Sequence, residues 1–291
     1  MRTPPSSAAW PRESLARSWF VSAISRQEQK ANAFRELHTG EAFVIPNPWD
    51  AGSARMLEAL GFKALATTSS GFAFTLGRMD GGVTLDEVVD HAAMLDRSTE
   101  LPVSVDLENG YGAEPASVAF AIARAAEAGA VGGSIEDYDP DGRIYDLSHA
   151  VERIDAAVEA ARGVGFPFTL TARAENHIRD NPDLDDTIAR LRAFEEAGAD
   201  VLYAPGLRSA DEIRAVCQAV SRPVNVLAVP ALSLAEIVDA GARRISVGGG
   251  LTWVAMRAAA DAAMALRDGD LSPLVARVPL EQWFGSEGRP S

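Results

Sequence analysis

We predict a (β/α)8 barrel from three features of the 291-residue sequence. Eight short apolar segments alternate with eight helical segments over roughly 250 residues, which is the size and rhythm of this fold. Three helices end in Ala-Gly-Ala just before a strand, at Gly129, Gly198 and Gly241, where glycine can adopt the left-handed cap conformation. Acids and an arginine lie at strand ends, whereas most other acids lie in helices. A doubly wound open sheet is the structural alternative.

The predicted strands are short and apolar, as expected when helices cover a parallel sheet. They span residues 42–46, 63–67, 103–106, 133–136, 168–173, 200–204, 223–227 and 244–248. The helices that follow them span residues 51–60, 84–95, 114–128, 148–162, 184–197, 211–220, 234–240 and 253–267. We interpret residues 1–27 as an N-terminal tail or helical arm, and residues 28–291 as a single barrel domain with a C-terminal helical extension.

Composition restricts the class of protein. The chain is 47% hydrophobic and 23% charged, which is typical of a globular protein, and its net charge of −14 argues against nucleic acid and anionic membranes as partners. No segment is apolar for long enough to span a membrane, and the first residues lack the continuous apolar stretch of a secretory signal. We therefore expect a cytoplasmic protein. The single cysteine, Cys217, excludes an intrachain disulfide.

Carboxylates end two consecutive predicted strands. Asp106 and Glu108 are two residues apart, so on an extended strand they point the same way. Glu136 ends the next strand and is followed by Asp137. Hard oxygen ligands around one point suit Mg²⁺ or Mn²⁺, and chemistry in such barrels gathers at the C-terminal strand ends. The alternative is that these acids cap helices or pair with arginines.

Polar groups lie at two later strands. Arg173 ends the fifth strand, where its guanidinium needs an anion and suits a carboxylate. A salt bridge to Glu136 or Glu175 is the alternative. Asn225 lies in the seventh strand, and we expect His177, in the loop after Arg173, at the surface.

A hydroxyl-rich turn follows the second strand. Residues 67–71 read Thr-Thr-Ser-Ser-Gly, and backbone N–H groups there can hold a carboxylate, although an ordinary solvated loop fits the same residues. Asp80 is a further acid or a turn former. Gly248 to Gly250 resembles the phosphate-binding turn that many barrels place after strand eight, although close packing would need the glycines equally.

Together these segments resemble the isocitrate lyase/phosphoenolpyruvate mutase superfamily. The resemblance covers Ile45 to Arg267 and rests on Asn47-Pro-Trp-Asp-Ala-Gly-Ser53, Ser70-Gly71, Asp80, Asp106-Leu-Glu-Asn-Gly-Tyr-Gly112, Ser134-Ile-Glu-Asp137 and Ala172-Arg-Ala-Glu175. It implies a Mg²⁺-dependent barrel that makes or breaks a C–C or P–C bond beside a 2-oxo acid through an enolate-type intermediate. It also implies a homotetramer with exchanged C-terminal helices, and we expect a homo-oligomer, either a tetramer or a dimer.

The resemblance assigns the metal site. Asp106 would bind the metal directly, and the metal's water molecules would be held by Asp80, Glu108 and Glu136. Glu108 stands where the family usually has aspartate, which lengthens the side chain by one methylene group.

The resemblance also assigns the substrate site and marks where this chain departs from the family. The substrate carboxylate would be bound by Ser70 and Gly71 and clamped by Arg173. We add Asn225 to the substrate-binding residues because it lies near a strand end. The lyases carry a lid cysteine after the Ile-Glu-Asp strand, but residues 138–145 here contain neither cysteine nor lysine. We therefore predict that Arg143 or Tyr145 closes over the substrate, and we place Arg173 and Glu136 with them in the catalytic set. Residues 204–206 read Ala-Pro-Gly where lyases tend to carry a glutamate.

The sequence thus predicts a Mg²⁺- or Mn²⁺-dependent lyase or decarboxylase that cleaves a C–C bond of a 2-oxo or 2-hydroxy dicarboxylic acid. One alternative is a mutase or hydrolase acting on the P–C bond of phosphonopyruvate. Another is a catalytically weak binding or scaffold protein that kept the metal site and lost the lid chemistry.

Overall fold

Eight parallel strands form a barrel in the computed structural model, which describes residues 26–285. The strands are β1 (Phe43–Ile45), β2 (Leu65–Ala66), β3 (Val103–Asp106), β4 (Gly132–Glu136), β5 (Tyr138–Asp139), β6 (Arg143–Ile144), β7 (Thr169–Arg173), β8 (Val201–Tyr203), β9 (Val224–Leu227) and β10 (Arg244–Ser246). All except β5 and β6 belong to the barrel, in the order β1-β10-β9-β8-β7-β4-β3-β2. The Ala66 N–H donates to the Pro46 carbonyl over 3.1 Å, which joins the two ends of this order. The nearly closed barrel confirms the predicted (β/α)8 fold.

Helices surround the barrel. They are α1 (residues 26–37), α2 (Ala51–Ala59), α3 (Ser69–Thr75), α4 (Leu85–Ser98), α5 (Pro115–Glu127), α6 (Leu147–Gly163), α7 (Leu184–Glu196), α8 (Ala210–Ala219), α9 (Leu234–Asp239), α10 (Gly250–Arg267) and α11 (Leu280–Phe284). Short 3₁₀ turns span Asn176–Ile178 and Ser272–Val275. Several helix starts are specified locally, because Thr84, Ser209 and Ser233 each form a capping box with a glutamate three residues later.

The three Ala-Gly-Ala glycines end their helices as predicted. Gly129, Gly198 and Gly241 have φ of 101°, 102° and 111°, a region that favours glycine. Each one turns the chain from a helix into the next barrel strand.

Helix α1 covers the N-terminal ends of the strands. Phe34 is buried with Ile45, Ala64 and Val131. A Cβ atom on Gly132 would lie 2.9 Å from the Phe34 ring, so glycine allows the helix to approach β4 closely. This packing closes the barrel at the N-terminal ends of its strands, so a binding site can form at their C-terminal ends.

The predicted N-terminal arm lies outside the described residues, apart from positions 26 and 27. These two belong to α1 and contact the barrel domain, since Gln27 Nε2 donates to the carbonyls of Ala126 (2.7 Å) and Ala130 (2.9 Å).

Two connections contain structure that the sequence did not predict. The turn after β2 is the seven-residue helix α3, whose start is capped by Thr68. The segment after β4 forms an antiparallel hairpin of β5 and β6, in which Tyr138 pairs with Ile144. We call this hairpin the lid hairpin.

Helix α10 is mostly uncovered. Thr252 is its one buried residue, and the apolar side chains of Trp253, Val254 and Met264 are exposed. The predicted exchange of C-terminal helices concerns a second chain and stays a prediction. Across residues 26–285, no helix combines the length and apolarity needed to cross a membrane.

Candidate active site

A cavity of about 220 Å³ lies at the C-terminal ends of the barrel strands. Half of the residues predicted for the site line it, namely Ser70, Asp80, Asp106, Arg173 and Asn225. The other half do not, namely Gly71, Glu108, Glu136, Arg143 and Tyr145.

Asp106 is the last residue of β3. One of its carboxylate oxygens accepts hydrogen bonds, and the other accepts none from the described residues. Its backbone N–H donates to Thr67 Oγ1 over 2.8 Å. Its Oδ1 accepts from Arg173 Nη1 (3.1 Å), Ser134 Oγ (3.3 Å) and the Glu108 N–H (3.3 Å). No residue within 26–285 donates a hydrogen bond to Oδ2. One carboxylate oxygen is therefore available to a cation or to water from the cavity.

Arg173 lies among three carboxylates. Its Nη1 is 3.1 Å from Asp106 Oδ1, its Nη2 is 2.9 Å from Glu136 Oε1, and its Nε is 2.8 Å from Glu175 Oε1. Burial lowers the pKa of Arg173, but these carboxylates more than reverse the shift, so its pKa lies above the ordinary range. The salt bridges anticipated for Arg173 are present, and the residue also lines the cavity.

Glu108 is not a continuation of β3. The strand ends at Asp106, and Glu108 has φ of 48°, so the strand alternation predicted from the sequence does not extend to it. Burial, then the charges of Asp106 and Asp80, raise the pKa of Glu108 to about 7. Tyr111 donates its hydroxyl proton to Glu108 Oε1 over 3.4 Å.

Arg179 is a site residue that sequence reasoning missed. Its Nη2 lies 3.7 Å from both Glu136 Oε2 and Glu175 Oε2, and its guanidinium lies 3.8 Å from the centre of the Tyr138 ring. Burial nevertheless raises the pKa of Glu136 well above its usual range. The spacing of Arg179 four residues after Glu175 is the one sequence signal of this contact.

The start of α3 carries Ser70 into the cavity. Ser70 Oγ lies 3.2 Å from Thr68 Oγ1, which also accepts the Gly71 N–H over 3.3 Å. A Cβ atom on Gly71 would lie 2.6 Å from Thr68 Cγ2 and 2.7 Å from Thr252 Oγ1. The Gly71 N–H, predicted to hold a carboxylate, therefore serves the helix cap, and the glycine is required by packing.

Gly248 and Gly249 line the same cavity. A Cβ atom on Gly249 would lie 2.6 Å from Trp253 Nε1 and 2.8 Å from Ser70 Oγ. Close packing against α3 and α10 thus explains this glycine.

Asn225 is buried inside the barrel and holds its neighbours. Its Nδ2 donates to Ser246 Oγ over 3.0 Å, and its Oδ1 accepts from Arg244 Nε over 2.8 Å. Arg244 lines the cavity as well. The sequence did not single it out because it falls at the start of an ordinary-looking strand.

The residues predicted for the lid lie apart from the cavity. Tyr145 is buried with its ring 4.5 Å from the Arg153 guanidinium, and its hydroxyl has no hydrogen-bond partner among the described residues. Arg143 is 79% exposed and lies 3.9 Å from Asp139. Their proposed roles require movement of the lid hairpin and stay predictions. His177, expected at the surface, is buried, so that expectation is wrong.

The carboxylates fit a divalent cation. Within residues 26–285 no group of three or more acidic, histidine or cysteine side chains has the arrangement of a formed metal site, and Arg173 lies between Asp106 and Glu136. However, Asp106 Oδ2 is open, and after burial the negative charges of Asp106 and Asp80 are the next causes that raise the pKa of Glu108. Carboxylate oxygens are also the donors that Mg²⁺ prefers.

Comparison with known proteins identifies a family and several enzymes to which this chain is similar. A family model described as phosphoenolpyruvate phosphomutase matches residues 34–267. A 2-methylisocitrate lyase from Halalkalibacterium halodurans is 31% identical over 240 residues, which cover 80% of this chain and 76% of the relative. An oxaloacetate decarboxylase from Paraburkholderia xenovorans is 32% identical over 237 residues, which cover 77% of each protein.

A solved structure agrees with these relatives. The crystal structure of a Burkholderia cenocepacia J2315 protein, provisionally described as a lyase/mutase, matches with a TM-score of 0.87 and 53% identity over 90% of this chain and 98% of that chain. The superfamily predicted from the sequence is confirmed, and its named members are lyases and mutases. The chain therefore belongs to the phosphoenolpyruvate phosphomutase family, within the phosphoenolpyruvate mutase/isocitrate lyase superfamily.

Proposed function

We propose that the protein is a Mg²⁺- or Mn²⁺-dependent lyase or decarboxylase that cleaves a C–C bond of a 2-oxo or 2-hydroxy dicarboxylic acid. The observation that carries the proposal is the open Oδ2 of Asp106 beside Arg173, in a cavity at the C-terminal strand ends. The names of two relatives, 2-methylisocitrate lyase and oxaloacetate decarboxylase, support chemistry of this kind.

Asp106 would hold the cation directly, with water-mediated contacts from Asp80, Glu108 and Glu136. When bound, the cation would polarise the 2-oxo group and stabilise the negative charge that develops on its oxygen. The chain's own contribution is orientation. The hydrogen bonds from Ser134 and the Glu108 N–H fix Asp106 Oδ1 and leave Oδ2 for the cation.

Arg173 and Ser70 would position the substrate. Glu136 and Glu175 pair with the guanidinium, and the Tyr203 ring lies 5.0 Å from it, so the guanidinium is fixed before a ligand arrives. Such preorganised charge stabilises a transition state without reorganisation of the site. Ser70 lines the same cavity, and its hydroxyl would donate to the substrate carboxylate.

The proton donor would come from the lid hairpin or its flank. Residues 138–146 offer no cysteine or lysine for this role. Tyr145 has a hydroxyl with no partner in the described residues, and Arg143 is exposed. We assign Tyr145 as the acid and Arg143 as an anion clamp in the closed lid.

A second candidate function is P–C bond chemistry on phosphonopyruvate. It is favoured by the description of the matching family and by Gly248, which lines the cavity just before α10. The same residues around Asp106 would serve this reaction.

The protein would act in the cytoplasm as a homo-oligomer, a tetramer or a dimer, with a small carboxylate as its substrate. Helix α10 supports the oligomer, because its exposed apolar side chains, including Val254 at 69% exposure, would be covered by a second copy. Sedimentation velocity tests this part: a monomer alone at micromolar concentration would contradict it.

The test of the function is a substrate panel followed by NMR. Oxaloacetate, 2-methylisocitrate, dialkylmalates and phosphonopyruvate are each incubated with the protein and Mg²⁺, with EDTA as the metal-free arm. We expect cleavage of at least one 2-oxo or 2-hydroxy dicarboxylate, its loss with EDTA and in Asp106→Asn, and its retention in Asp155→Asn, which changes an exposed acid of α6. Turnover of phosphonopyruvate alone would favour the second function, and no turnover would favour a binding protein.

A further inference from the structure

Arg244 is a buried cation with neutral partners. Arg244 as a whole is 5% exposed. Its Nε donates to Asn225 Oδ1 (2.8 Å) and its Nη2 to Thr171 Oγ1 (2.9 Å), while its Nη1 lies 3.2 Å from His38 Nε2. His38 Nδ1 lies 2.8 Å from the Phe34 carbonyl, so the ring proton belongs on Nδ1 and Nε2 accepts from Arg244. Burial lowers the pKa of His38 to about 3, so the ring is neutral.

No acid balances this charge. In the part of the chain that the structure describes, Arg244 forms no ion pair, and Tyr203 is the one titratable group that acts on its pKa. Burial lowers that pKa to about 10, so the guanidinium is still protonated at neutral pH. A buried charge without a counter-ion destabilises the fold, and a bound anion would offset this cost.

The other buried arginines near the site are neutralised or saturated. Arg173, the second cation that lines the cavity, is paired with three carboxylates. Arg153 donates to the backbone carbonyls of Asn109, Gly112 and Ala113 and does not line the cavity. Among the residues described, Arg244 alone combines contact with the cavity and an uncompensated positive charge.

The Arg244 guanidinium has two N–H groups without a partner among the described residues, and its contacts fix its depth in the barrel. Of its five N–H groups three have partners, which leaves two, one on each terminal nitrogen. Its partner Thr171 precedes Arg173 by two residues on β7, so both point to the same side and Thr171 lies about 7 Å deeper in the barrel. That separation matches the two ends of a dicarboxylate of about five carbon atoms.

We propose that Arg244 binds the substrate carboxylate remote from the 2-oxo group and so selects 2-oxo dicarboxylates over 2-oxo monocarboxylates. The inference rests on the proposed function, which places the 2-oxo end of the substrate beside Asp106. It adds a specificity-determining residue at the floor of the cavity. Small neighbours at this level, Ala66 and Ser104, line the same cavity and leave room for the chain of the ligand.

Two inert ligands that differ by one carboxylate test the inference. N-oxalylglycine and N-methyloxamate share the same metal-chelating oxamate group, and only the first carries a second carboxylate. Titration calorimetry with Mg²⁺ measures both dissociation constants without turnover. We expect the wild-type protein to bind N-oxalylglycine about 10- to 100-fold more tightly, the range expected for hydrogen bonds to a charged group.

Two variants remove the preference in opposite ways. Arg244→Gln deletes the cation, and Asn225→Asp gives the cation a counter-ion at the position of the present 2.8 Å hydrogen bond. Each should bring the two ligands to within about threefold of one another, whereas Arg244→Lys should keep part of the preference. Thermal unfolding shows whether Arg244→Gln and Asn225→Asp are folded. If one of them is not, the ligand preference of the other tests the inference.

The outcomes separate this inference from the proposed function. Equal binding of the two ligands by the wild type, or an unchanged preference in a folded Arg244→Gln or Asn225→Asp protein, overturns the role of Arg244 alone. Failure of both ligands to bind the wild type in Mg²⁺ overturns the proposed function and this inference with it.

Discussion

Arg173 Nη1 lies 3.1 Å from Asp106 Oδ1, although 67 residues separate them in the sequence. Asp106 ends β3 and Arg173 ends β7, the two strands that flank β4 in the barrel. The residue predicted to bind the metal and the residue predicted to hold the substrate carboxylate are thus ion-paired. Changes to either one should therefore affect both binding steps.

Replacing Arg173 should damage both stability and activity. Arg173→Gln leaves Asp106, Glu136 and Glu175 without their shared partner, and breaking a buried ion pair in this way costs about 3–5 kcal/mol of unfolding free energy. Urea unfolding measures the loss. The control Arg257→Gln breaks an exposed pair with Asp261 (2.9 Å) and should leave the unfolding free energy nearly unchanged, because solvent screens that pair. Equal losses in the two variants would contradict the burial argument.

Gly71→Ala should distort the start of α3. The added Cβ would lie 2.6 Å from Thr68 Cγ2 and 2.7 Å from Thr252 Oγ1, so helix and neighbour must shift, at a cost of about 1–3 kcal/mol. Because Ser70 precedes it in the cavity wall, affinity for oxalate in Mg²⁺ should also fall. The matched control is Gly163→Ala in α6, where a Cβ meets nothing within 4 Å. If both variants bind and unfold like the wild type, the packing role of Gly71 is wrong.

Tyr145→Phe separates chemistry from packing. The hydroxyl has no hydrogen-bond partner in the described residues, so its removal should not lower the melting temperature while the ring stays against Arg153. A role as proton donor requires kcat to fall about 10²-fold or more on the substrate found by the panel. Unchanged turnover would remove Tyr145 from catalysis and leave the lid role to Arg143, which Arg143→Ala then tests.

Stability should decline in mild acid because of His91. Its ring stacks on Phe72 at 4.0 Å and its Nε2 lies 3.1 Å from the Trp49 carbonyl. Burial lowers the pKa of His91 to about 4, below the value of about 6.5 for an unfolded chain. Its contribution is therefore complete above pH 6.5 and is lost as the pH falls toward 4.

The variant His91→Gln isolates this effect. Gln keeps an N–H donor for Trp49 but does not titrate. Between pH 8 and pH 5 the unfolding free energy of the wild type should fall by about 2 kcal/mol more than that of the variant, as measured by urea titrations. Parallel pH profiles for the two proteins would show that His91 does not titrate in this way.

The fold was predictable because its determinants are local. A glycine such as Gly129 or Gly198 ends its helix wherever the chain must turn left-handed, and this requirement is visible in the sequence. Helix α3 was not predictable in the same way. Its serines and glycine are typical of loops, and its helix depends on the Thr68 cap and on packing of Gly71 against Thr252.

The sequence predicted which residues belong to the candidate site better than it predicted the contacts between them. Asp106 and Arg173 were identified because each ends an apolar strand, but their ion pair depends on the register of three barrel strands. Glu108 was expected beside Asp106 by strand alternation, but the strand ends at Asp106 itself, two residues earlier in the chain. Arg244 was missed because its surroundings, Asn225, Thr171 and His38, come from three distant segments.

The most direct test of a metal-dependent 2-oxo acid site at Asp106 is calorimetric titration of the protein with oxalate, an enolate mimic, with and without Mg²⁺. We expect saturable binding that requires Mg²⁺ and is weakened at least about tenfold in Asp106→Asn, because the open Oδ2 is replaced by a neutral group that binds the cation poorly. Oxalate binding that is equal in Mg²⁺ and in EDTA, or absent in both, would contradict the account.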